Sequence, residues 1–241
     1  MNGLNFGPMD LQKHSYSRKG QEVAKHLRVQ IRSGELAVGN KFPPERELAS
    51  ILHVSRHAVR DALGLLESEN YVITKRGAGG GSFVSEPSAT AAVWIELMKG
   101  NVAELEEVLD FRMAIESKIA MLAAERRTEI DLVAMREAIE SLPLQSPDKS
   151  EFREADGRFH GAMARAAGNK HLESALRSAR ADLFVPTDNI PYSETIEVTR
   201  RQHLQIFTAV KQQSQRAAER AVVLHIEETR RHLHSILDGD A

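Results

Sequence analysis

Apolar residues recur at helical spacing near the start of the chain. The stretch QEVAKHLRVQIRSGEL has apolar residues at intervals of four, at Val23, Leu27 and Ile31. This pattern predicts an amphipathic helix that ends near Gly34. After the turn AVGNKFPP, the stretch ERELASILH predicts a short second helix. Its inward positions are expected to be Leu48, Ile51 and Leu52.

A third helix is predicted to follow after almost no loop. In VSRHAVRDALGLLESEN, Ser55 is a suitable N-cap because its side-chain oxygen can accept a hydrogen bond from the first helical turn. Arg56 and Arg60 lie one turn apart on one side of this helix. The apolar positions, expected on the opposite side, are Val59, Ala62, Leu63 and Leu66.

Two short strands around a glycine-rich turn are predicted next. YVITK is a short apolar alternation, SFVSE follows it after RGAGGG, and the glycines between the two favour a tight connection. Residues 20–85 therefore have the order helix, helix, short turn, helix, hairpin. That order predicts a winged helix-turn-helix, which is a DNA-binding architecture.

The rest of the chain is helical in pattern. After about residue 93, amphipathic stretches are separated by breakers such as SLPLQSPDKS and PTDNIP. The predicted fold class is mainly α: a winged helix-turn-helix of three helices and a short β-hairpin, then an all-α bundle of about six helices. We expect a flexible leader over 1–14, the winged helix-turn-helix domain over 15–86, a linker over 87–96 and the helical domain over 97–241.

Composition and charge narrow the classes of function. The chain has 241 residues and no cysteine, so any metal site must use histidine and carboxylate ligands, and a cytoplasmic location is expected. Because no apolar run reaches the length of a membrane span, no membrane association is expected. Residues 1–90 carry 12 Lys and Arg against 9 Asp and Glu, whereas residues 91–241 carry 20 against 25. The asymmetry is a mild indication of an anionic partner for the first part.

Two sets of motifs resemble those of one family of bacterial proteins. GNKFPPERELASILHVSRHAVRDALGLLESENYVITKRGAGGGSFV closely resembles the winged-helix domain of the GntR family of transcription regulators. FRMAIESKIAMLAAER, DGRFH, RRQHLQIFTAV and AVVLHIEETRRHL resemble the all-helical FCD ligand-binding domain of its FadR subfamily. Three residues depart from the family pattern. Pro44 replaces a common serine, Asn70 replaces a glycine after the third helix, and His57 replaces a small hydroxylated residue.

Arginines and glycines of the first domain predict a DNA-binding surface. Arg56 and Arg60 offer planar pairs of donors that suit phosphates and guanine edges, and the glycine-rich turn permits close approach to a minor groove. An isolated arginine pair is more simply a solvated helix face, but the surrounding motifs favour DNA binding. The resemblance adds Arg46. The predicted DNA-binding residues are Arg46, Ser55, Arg56, His57, Arg60, Lys75, Arg76, Gly79 and Gly80.

Four residues of the helical domain predict a metal site. Asp156 and His160 lie one helical turn apart, and His203 and His225 follow on two later helices among apolar neighbours. Three imidazoles and one carboxylate suit a borderline divalent ion, most simply Zn²⁺, with Ni²⁺ and Mn²⁺ as alternatives. A lone aspartate–histidine pair is usually a surface feature, but the FCD resemblance matches all four positions in order.

Arg112 is the predicted effector-binding residue. The resemblance places it at the cavity of the FCD domain, where a guanidinium beside a metal can bind a carboxylate. The alternative is an ion pair within its own helix, with Glu116. The effector implied is a small organic acid, such as a sugar acid or hydroxy acid.

The function predicted is that of a transcription regulator, most simply a repressor. The resemblance implies a homodimer on a short palindrome of double-stranded DNA, with DNA affinity controlled by the effector. One alternative is a metal-dependent enzyme, since a site of three histidines and an aspartate can activate water. No general base or nucleophile stands out, so no enzyme activity is expected. The other alternative is a DNA-binding protein without an effector.

Overall fold

The N-terminal part of the chain forms three helices and a two-stranded wing, so the predicted winged helix-turn-helix is confirmed. The computed structural model describes residues 16–85, 96, 98–144, 149–182 and 192–239. The first elements are α1 (Arg18–Arg32), α2 (Glu45–Ile51), α3 (Arg56–Ser68), β1 (Val72–Lys75) and β2 (Gly81–Val84). The leader predicted over 1–14 and all but the last residue of the linker predicted over 87–96 lie outside the described residues.

Helices α1 and α3 pack against each other and supply most of this core. The Ser17 hydroxyl accepts a hydrogen bond from the Gly20 N–H at 3.1 Å and caps α1. The Ser55 hydroxyl accepts one from the Ala58 N–H at 3.1 Å, which confirms the predicted cap of α3. The apolar positions predicted to face inward on both helices are buried: Val23, Leu27, Ile31, Val59, Ala62, Leu63 and Leu66.

Residues in the left-handed region end both helices. Gly34, with φ of +82°, follows the C-cap residue of α1, and Asn70, with φ of +64°, follows that of α3. Asparagine tolerates this conformation better than most residues with a side chain. The replacement of the family's glycine by Asn70 therefore preserves the end of the helix.

The prediction that Ile51 faces inward is wrong, because Ile51 is 56% exposed. The buried residues of α2 are Leu48 and Ala49, and Ile51 lies to one side of the face that they define. Pro44 occupies the N-cap position and makes no side-chain capping bond. Its carbonyl still accepts a hydrogen bond from the Leu48 N–H at 3.0 Å and begins the helix.

The wing is an antiparallel hairpin in which Val72 pairs with Val84 and Lys75 with Gly81. Gly77 and Gly79 have φ of +96° and +86°, a region that residues with side chains rarely adopt. A Cβ on Gly80 would lie 2.4 Å from the carbonyl oxygen of Lys75. Glycine is therefore required at Gly77 and Gly79 by the backbone conformation and at Gly80 by the lack of space for a side chain.

The C-terminal part is a bundle of six helices within the described residues, as predicted. They are α4 (Val102–Arg126), α5 (Glu129–Glu140), α6 (Lys149–Ala166), α7 (Lys170–Asp182), α8 (Tyr192–Lys211) and α9 (Gln215–Asp238). Helix α4 is central, since it contacts α6, α7, α8 and α9. Leu109 and Ile119 of α4 share a buried core with Phe159, Ile206 and Ile226. In the part of the chain that the structure describes, no helix is both long and apolar enough to cross a membrane.

The winged helix-turn-helix contacts the bundle through the end of α1. Helix α1 packs against α7, and Arg177 donates a hydrogen bond from Nε to Oε1 of Glu35 at 2.7 Å. Gly157 of α6 lies so close to this turn that an added Cβ would be 3.0 Å from the carbonyl oxygen of Ser33. Gly157 directly follows Asp156, so a predicted metal ligand is adjacent in sequence to the contact between the two parts.

Candidate metal centre and DNA-binding surface

Three buried histidines from three helices converge in the bundle. His160 lies on α6, His203 on α8 and His225 on α9, and one ring nitrogen of each lies within 4.8 Å of the others. The His203 ring also stacks on Phe159, with centroids 3.9 Å apart. We call these three residues the histidine cluster. The sequence predicted them as ligands, and the structure brings them together.

Asp156 completes the group predicted from the sequence. Its Oδ1 lies 3.3 Å from Nε2 of His203 and 3.7 Å from Nε2 of His160. Its Oδ2 accepts a hydrogen bond from Arg180 at 2.6 Å. One carboxylate oxygen thus faces the histidine cluster while the other is held by a guanidinium on α7, an arrangement that orients the carboxylate.

Two further side chains orient the imidazoles from outside. The Gln202 amide oxygen lies 2.8 Å from Nδ1 of His225 and can only accept, so this Nδ1 carries the proton and Nε2 presents its lone pair. Glu116 of α4 places Oε2 2.7 Å from Nδ1 of His160, although the pair lacks hydrogen-bond alignment. A hydrogen bond such as that between His225 and Gln202 fixes ring orientation and raises ligand basicity at metal sites.

Burial keeps the imidazoles of His203 and His225 neutral near neutral pH. It lowers the pKa of His203 to about 4, against the opposing effect of the Asp156 carboxylate. Burial, together with the charges of His160 and His203, also lowers the pKa of His225 well below its usual value. Neutral imidazole is the form that binds a metal ion.

The carboxylates beside the cluster stay ionised despite their burial. Burial acts to raise the pKa of Asp156, but Arg180 and His160 outweigh it and hold that pKa well below its usual range. For Glu116, burial is likewise outweighed by Arg112 and His160, which lower its pKa. The candidate site therefore combines the neutral imidazoles of His203 and His225 with an anionic carboxylate.

Unsatisfied nitrogens show that these residues fit a divalent ion. Within the described residues, both ring nitrogens of His160 and of His203 are buried and have no hydrogen-bond partner. Buried polar atoms are normally paired, and unpaired imidazole nitrogens beside a carboxylate are the donor set that a divalent ion binds. The residues that would hold a metal are Asp156, His160, His203 and His225, a nitrogen and oxygen set that suits Zn²⁺.

Arg112, the predicted effector residue, forms the alternative ion pair that the sequence allowed. Its Nε donates a hydrogen bond to Oε1 of Glu116 at 2.8 Å, and both side chains are almost fully buried. Because Glu116 also faces His160, this pair links Arg112 to the histidine cluster. The two interpretations of Arg112 are therefore compatible, and its contact with an effector stays a prediction.

Sequence reasoning missed two residues of this site and gave a third only a local role. Gln202 precedes His203 in RRQH, and nothing in the pattern distinguishes it from other polar helix residues. Arg180 lies 24 residues from its partner Asp156, a pairing that no local spacing reveals. Glu116 was considered only as a partner of Arg112, while its position against His160 depends on how α4 packs against α6.

The start of α3 presents the predicted arginines to solvent. Arg56 and Arg60 are both exposed, and the Arg60 side chain is 64% exposed. Arg60 is also paired: Nε and one terminal nitrogen donate to the two carboxylate oxygens of Glu45 at 3.1 and 2.8 Å. Arg46, on the first turn of α2, is exposed as well. We call Arg46, Arg56, His57 and Arg60 the recognition face.

His57 points away from the core beside an acidic residue. Its side chain is 76% exposed, and Nε2 lies 3.6 Å from Oδ2 of Asp61. The same Asp61 oxygen accepts a hydrogen bond from the Ser17 N–H at 2.9 Å at the start of α1. His57 thus occupies the exposed first turn of α3 together with Ser55 and Arg56.

The wing carries the remaining predicted DNA-binding residues. Lys75, Arg76 and Gly79 are exposed, and Gly80 is partly buried in the turn. The Lys75 ammonium lies 4.9 Å from the centre of the Phe83 ring. The structure adds Lys41, which sequence reasoning missed, because its Nζ lies 5.6 Å from the same ring and donates to the Gly79 carbonyl at 3.1 Å. These groups form a second basic surface, on the wing.

Both parts of the chain match known families. Residues 19–84 match the family described as bacterial regulatory proteins, gntR family, and residues 107–228 match the FCD domain. The structure of E. coli McbR/YncC matches with a TM-score of 0.54 at 20% identity, covering 91% of this chain and 98% of that chain. At that identity the match supports the fold alone.

Two relatives align over most of their length. The uncharacterized HTH-type transcriptional regulator YcbG of Bacillus subtilis is 32% identical over 207 residues, which are 85% of this chain and 86% of that protein. The HTH-type transcriptional repressor NanR of Cronobacter sakazakii is 29% identical over 237 residues, which are 93% of this chain and 87% of that protein. The prediction that the chain is not an enzyme is thereby confirmed. The chain belongs to the GntR family of bacterial regulatory proteins, and it is a DNA-binding transcription regulator with an FCD domain.

Proposed function

We propose that the protein is a cytoplasmic repressor that binds a short palindromic operator as a homodimer. The name of the relative NanR supports repression. A homodimer with two winged helix-turn-helix domains matches the two-fold symmetry of a palindrome. Each recognition face reads one half-site in the major groove, and each wing contacts the adjacent backbone or minor groove.

The histidine cluster and Asp156 bind a divalent metal, most simply Zn²⁺, with Ni²⁺ and Mn²⁺ as alternatives. The observation that carries this proposal is the pair of buried, orphaned Nε2 atoms facing one carboxylate oxygen. When bound, the metal supplies an electrophilic position for an oxygen of a small organic acid. Arg112, already buried against the cluster through Glu116, provides a guanidinium for the same acid.

The effector acts by binding one arrangement of the dimer more tightly than the other. A ligand with equal affinity for the DNA-competent and DNA-incompetent arrangements shifts nothing, however tightly it binds. Asp156 is next to Gly157, which packs closely against Ser33 at the end of α1. A shift of Asp156 at the metal centre would therefore directly affect the contact with the DNA-binding domain. A tenfold change in DNA affinity requires a differential binding energy of about 1.4 kcal/mol.

Substitution of the arginines tests the DNA-binding surface. The variants Arg56→Ala and Arg60→Ala are compared with the wild-type chain for binding to the DNA upstream of its own coding sequence. Each is expected to lose about 1–3 kcal/mol of binding energy, as for a base or close phosphate contact. Unchanged affinity in both variants would overturn the assignment of the recognition face.

Calorimetry tests the metal centre. The purified chain is stripped with chelator and titrated with Zn²⁺, and the variant His203→Ala is titrated in parallel. The matched control is His171→Ala, which removes an exposed histidine at the start of α7. We expect one buried site per chain in the wild type and the control, and a lost or strongly weakened site in His203→Ala. Full stoichiometry and affinity in His203→Ala would contradict the proposal.

A screen for binding of carboxylates tests the effector. The metal-loaded chain is exposed to a panel of sugar acids and hydroxy acids while its unfolding temperature is measured. A binding acid raises this temperature further as its concentration increases above its Kd, and the effect should vanish after chelation. If no acid binds and DNA affinity ignores chelator, the protein is an effector-independent DNA-binding protein instead.

A further inference from the structure

The ion pair between Arg60 and Glu45 has a specific geometry on the recognition face. Nε of Arg60 donates to one carboxylate oxygen at 3.1 Å, and a terminal nitrogen donates to the other at 2.8 Å. Two parallel bonds fix the plane of the guanidinium, whereas a single bond would allow it to rotate. The exposed side chain of Arg60 is therefore held in one orientation by a residue on another helix.

Among the residues that the structure describes, this pairing leaves the end of the guanidinium without a partner. Arginine carries five N–H donors, and Glu45 uses the edge formed by Nε and one hydrogen of a terminal nitrogen. The opposite edge, formed by the two terminal nitrogens, retains a complete pair of donors. Such a pair is the group that binds O6 and N7 of a guanine in the major groove.

Glu45 is suited to hold this arginine. It is the first residue of α2, where a negative charge is stabilised by the helix N-terminus. Helix α2 packs against α3, so the carboxylate has a defined position relative to the recognition helix. The hydrogen bond from Arg60 and the nearby charge of Arg56 lower the pKa of Glu45, so it remains ionised at neutral pH.

We infer that Glu45 is a positioning residue that aims Arg60 at one base pair of each operator half-site. This inference rests on the proposed function, in that it requires sequence-specific binding through the recognition face. An acidic residue beside the phosphates reduces attraction to any DNA. Glu45 therefore contributes to discrimination between DNA sequences, and its removal should weaken specificity without weakening non-specific binding.

The test uses the full chain and a library of random-sequence duplexes. Wild-type protein selects a preferred duplex, and its affinity is then compared with that for a scrambled duplex of equal length and composition. The variant Glu45→Gln keeps the shape of the side chain but removes the charge. The matched control Glu47→Gln removes an exposed charge from the same turn of α2.

For Glu45→Gln we expect affinity for the scrambled duplex to stay equal or rise, while the ratio of selected to scrambled affinity falls about tenfold. For Glu47→Gln the ratio should remain unchanged. Repeating the selection with Glu45→Gln and with Arg60→Ala should remove the preference at the same base pair in each half-site.

Three outcomes would overturn the inference. Glu45→Gln could keep the wild-type ratio and the wild-type base preferences, as expected of an ion pair without influence on DNA binding. It could lose preference at positions other than those lost in Arg60→Ala. It could also weaken binding to both duplexes equally, as a purely structural residue would. If the wild-type chain enriches no sequence at all, the proposed function itself is wrong. That result differs from the three outcomes above, so failure of the function and failure of the inference can be distinguished.

Discussion

Replacing Glu116 with glutamine tests how the candidate metal centre is supported from α4. In the native chain the Glu116 carboxylate is fully buried between Arg112 at 2.8 Å and His160 at 2.7 Å. Glutamine has nearly the same shape but no charge, so Arg112 would be left as a buried cation without its partner. Removing one member of a buried ion pair typically costs about 3–5 kcal/mol. We expect Glu116→Gln to lose this amount of unfolding free energy.

Urea denaturation of the metal-free chain measures this loss, and a double-variant cycle identifies its cause. In Arg112→Met/Glu116→Gln no buried charge remains unpaired, so the double variant should be more stable than Glu116→Gln alone. Glu107→Gln, an exposed carboxylate on the same helix, serves as control and should change stability by less than about 0.5 kcal/mol. The reasoning is refuted if Glu116→Gln is as stable as the control, or if the double variant shows no recovery.

Two further predictions concern stability. The pKa of His203 is about 4 in the folded chain against 6.5 when unperturbed. The unfolded state therefore binds more protons between these values, and His203 alone should cost the metal-free chain about 2 kcal/mol of stability from pH 7 to pH 5. His225, whose pKa is also lowered, should add to this loss. A flat unfolding profile over that range would contradict the burial of neutral His203. Gly157→Ala should destabilise the chain by about 1–3 kcal/mol because its Cβ would press on the Ser33 carbonyl at 3.0 Å. The control is Gly161→Ala, whose Cβ would meet only the end of the Arg165 side chain at 3.3 Å, so it should be neutral or stabilising. Equal effects of the two substitutions on the unfolding temperature would argue against a tight contact between Gly157 and Ser33.

Local chemistry explains why most of the fold could be predicted. Ser55, the glycines of the wing and the apolar spacing of α1 and α3 act over a few residues, so their consequences are visible in the sequence. Ile51 shows the limit of this approach. Helix α2 is only seven residues long, too short for periodicity to decide which apolar residue faces the core. Its packing against α3 decides instead.

For the candidate metal centre, the sequence predicted a set of ligands but not the residues that support them. Asp156 and His160 are one helical turn apart, a relation that is local in sequence. His203 and His225 could be added through the family resemblance and their apolar neighbours. Glu116, Gln202 and Arg180 act through contacts between helices, which depend on packing that no spacing rule specifies. The same applies to Glu45, whose pairing with Arg60 spans 15 residues between two helices.

The affinity of the full chain for its selected duplex is the most direct test of control by the metal centre. It is measured by fluorescence anisotropy for metal-loaded protein, with and without each carboxylate that raises the unfolding temperature. If the histidine cluster controls DNA binding, Kd should change about tenfold, and both chelation and His203→Ala should abolish this change. A Kd that stays within about twofold under all these conditions would contradict the claim that this centre controls DNA binding.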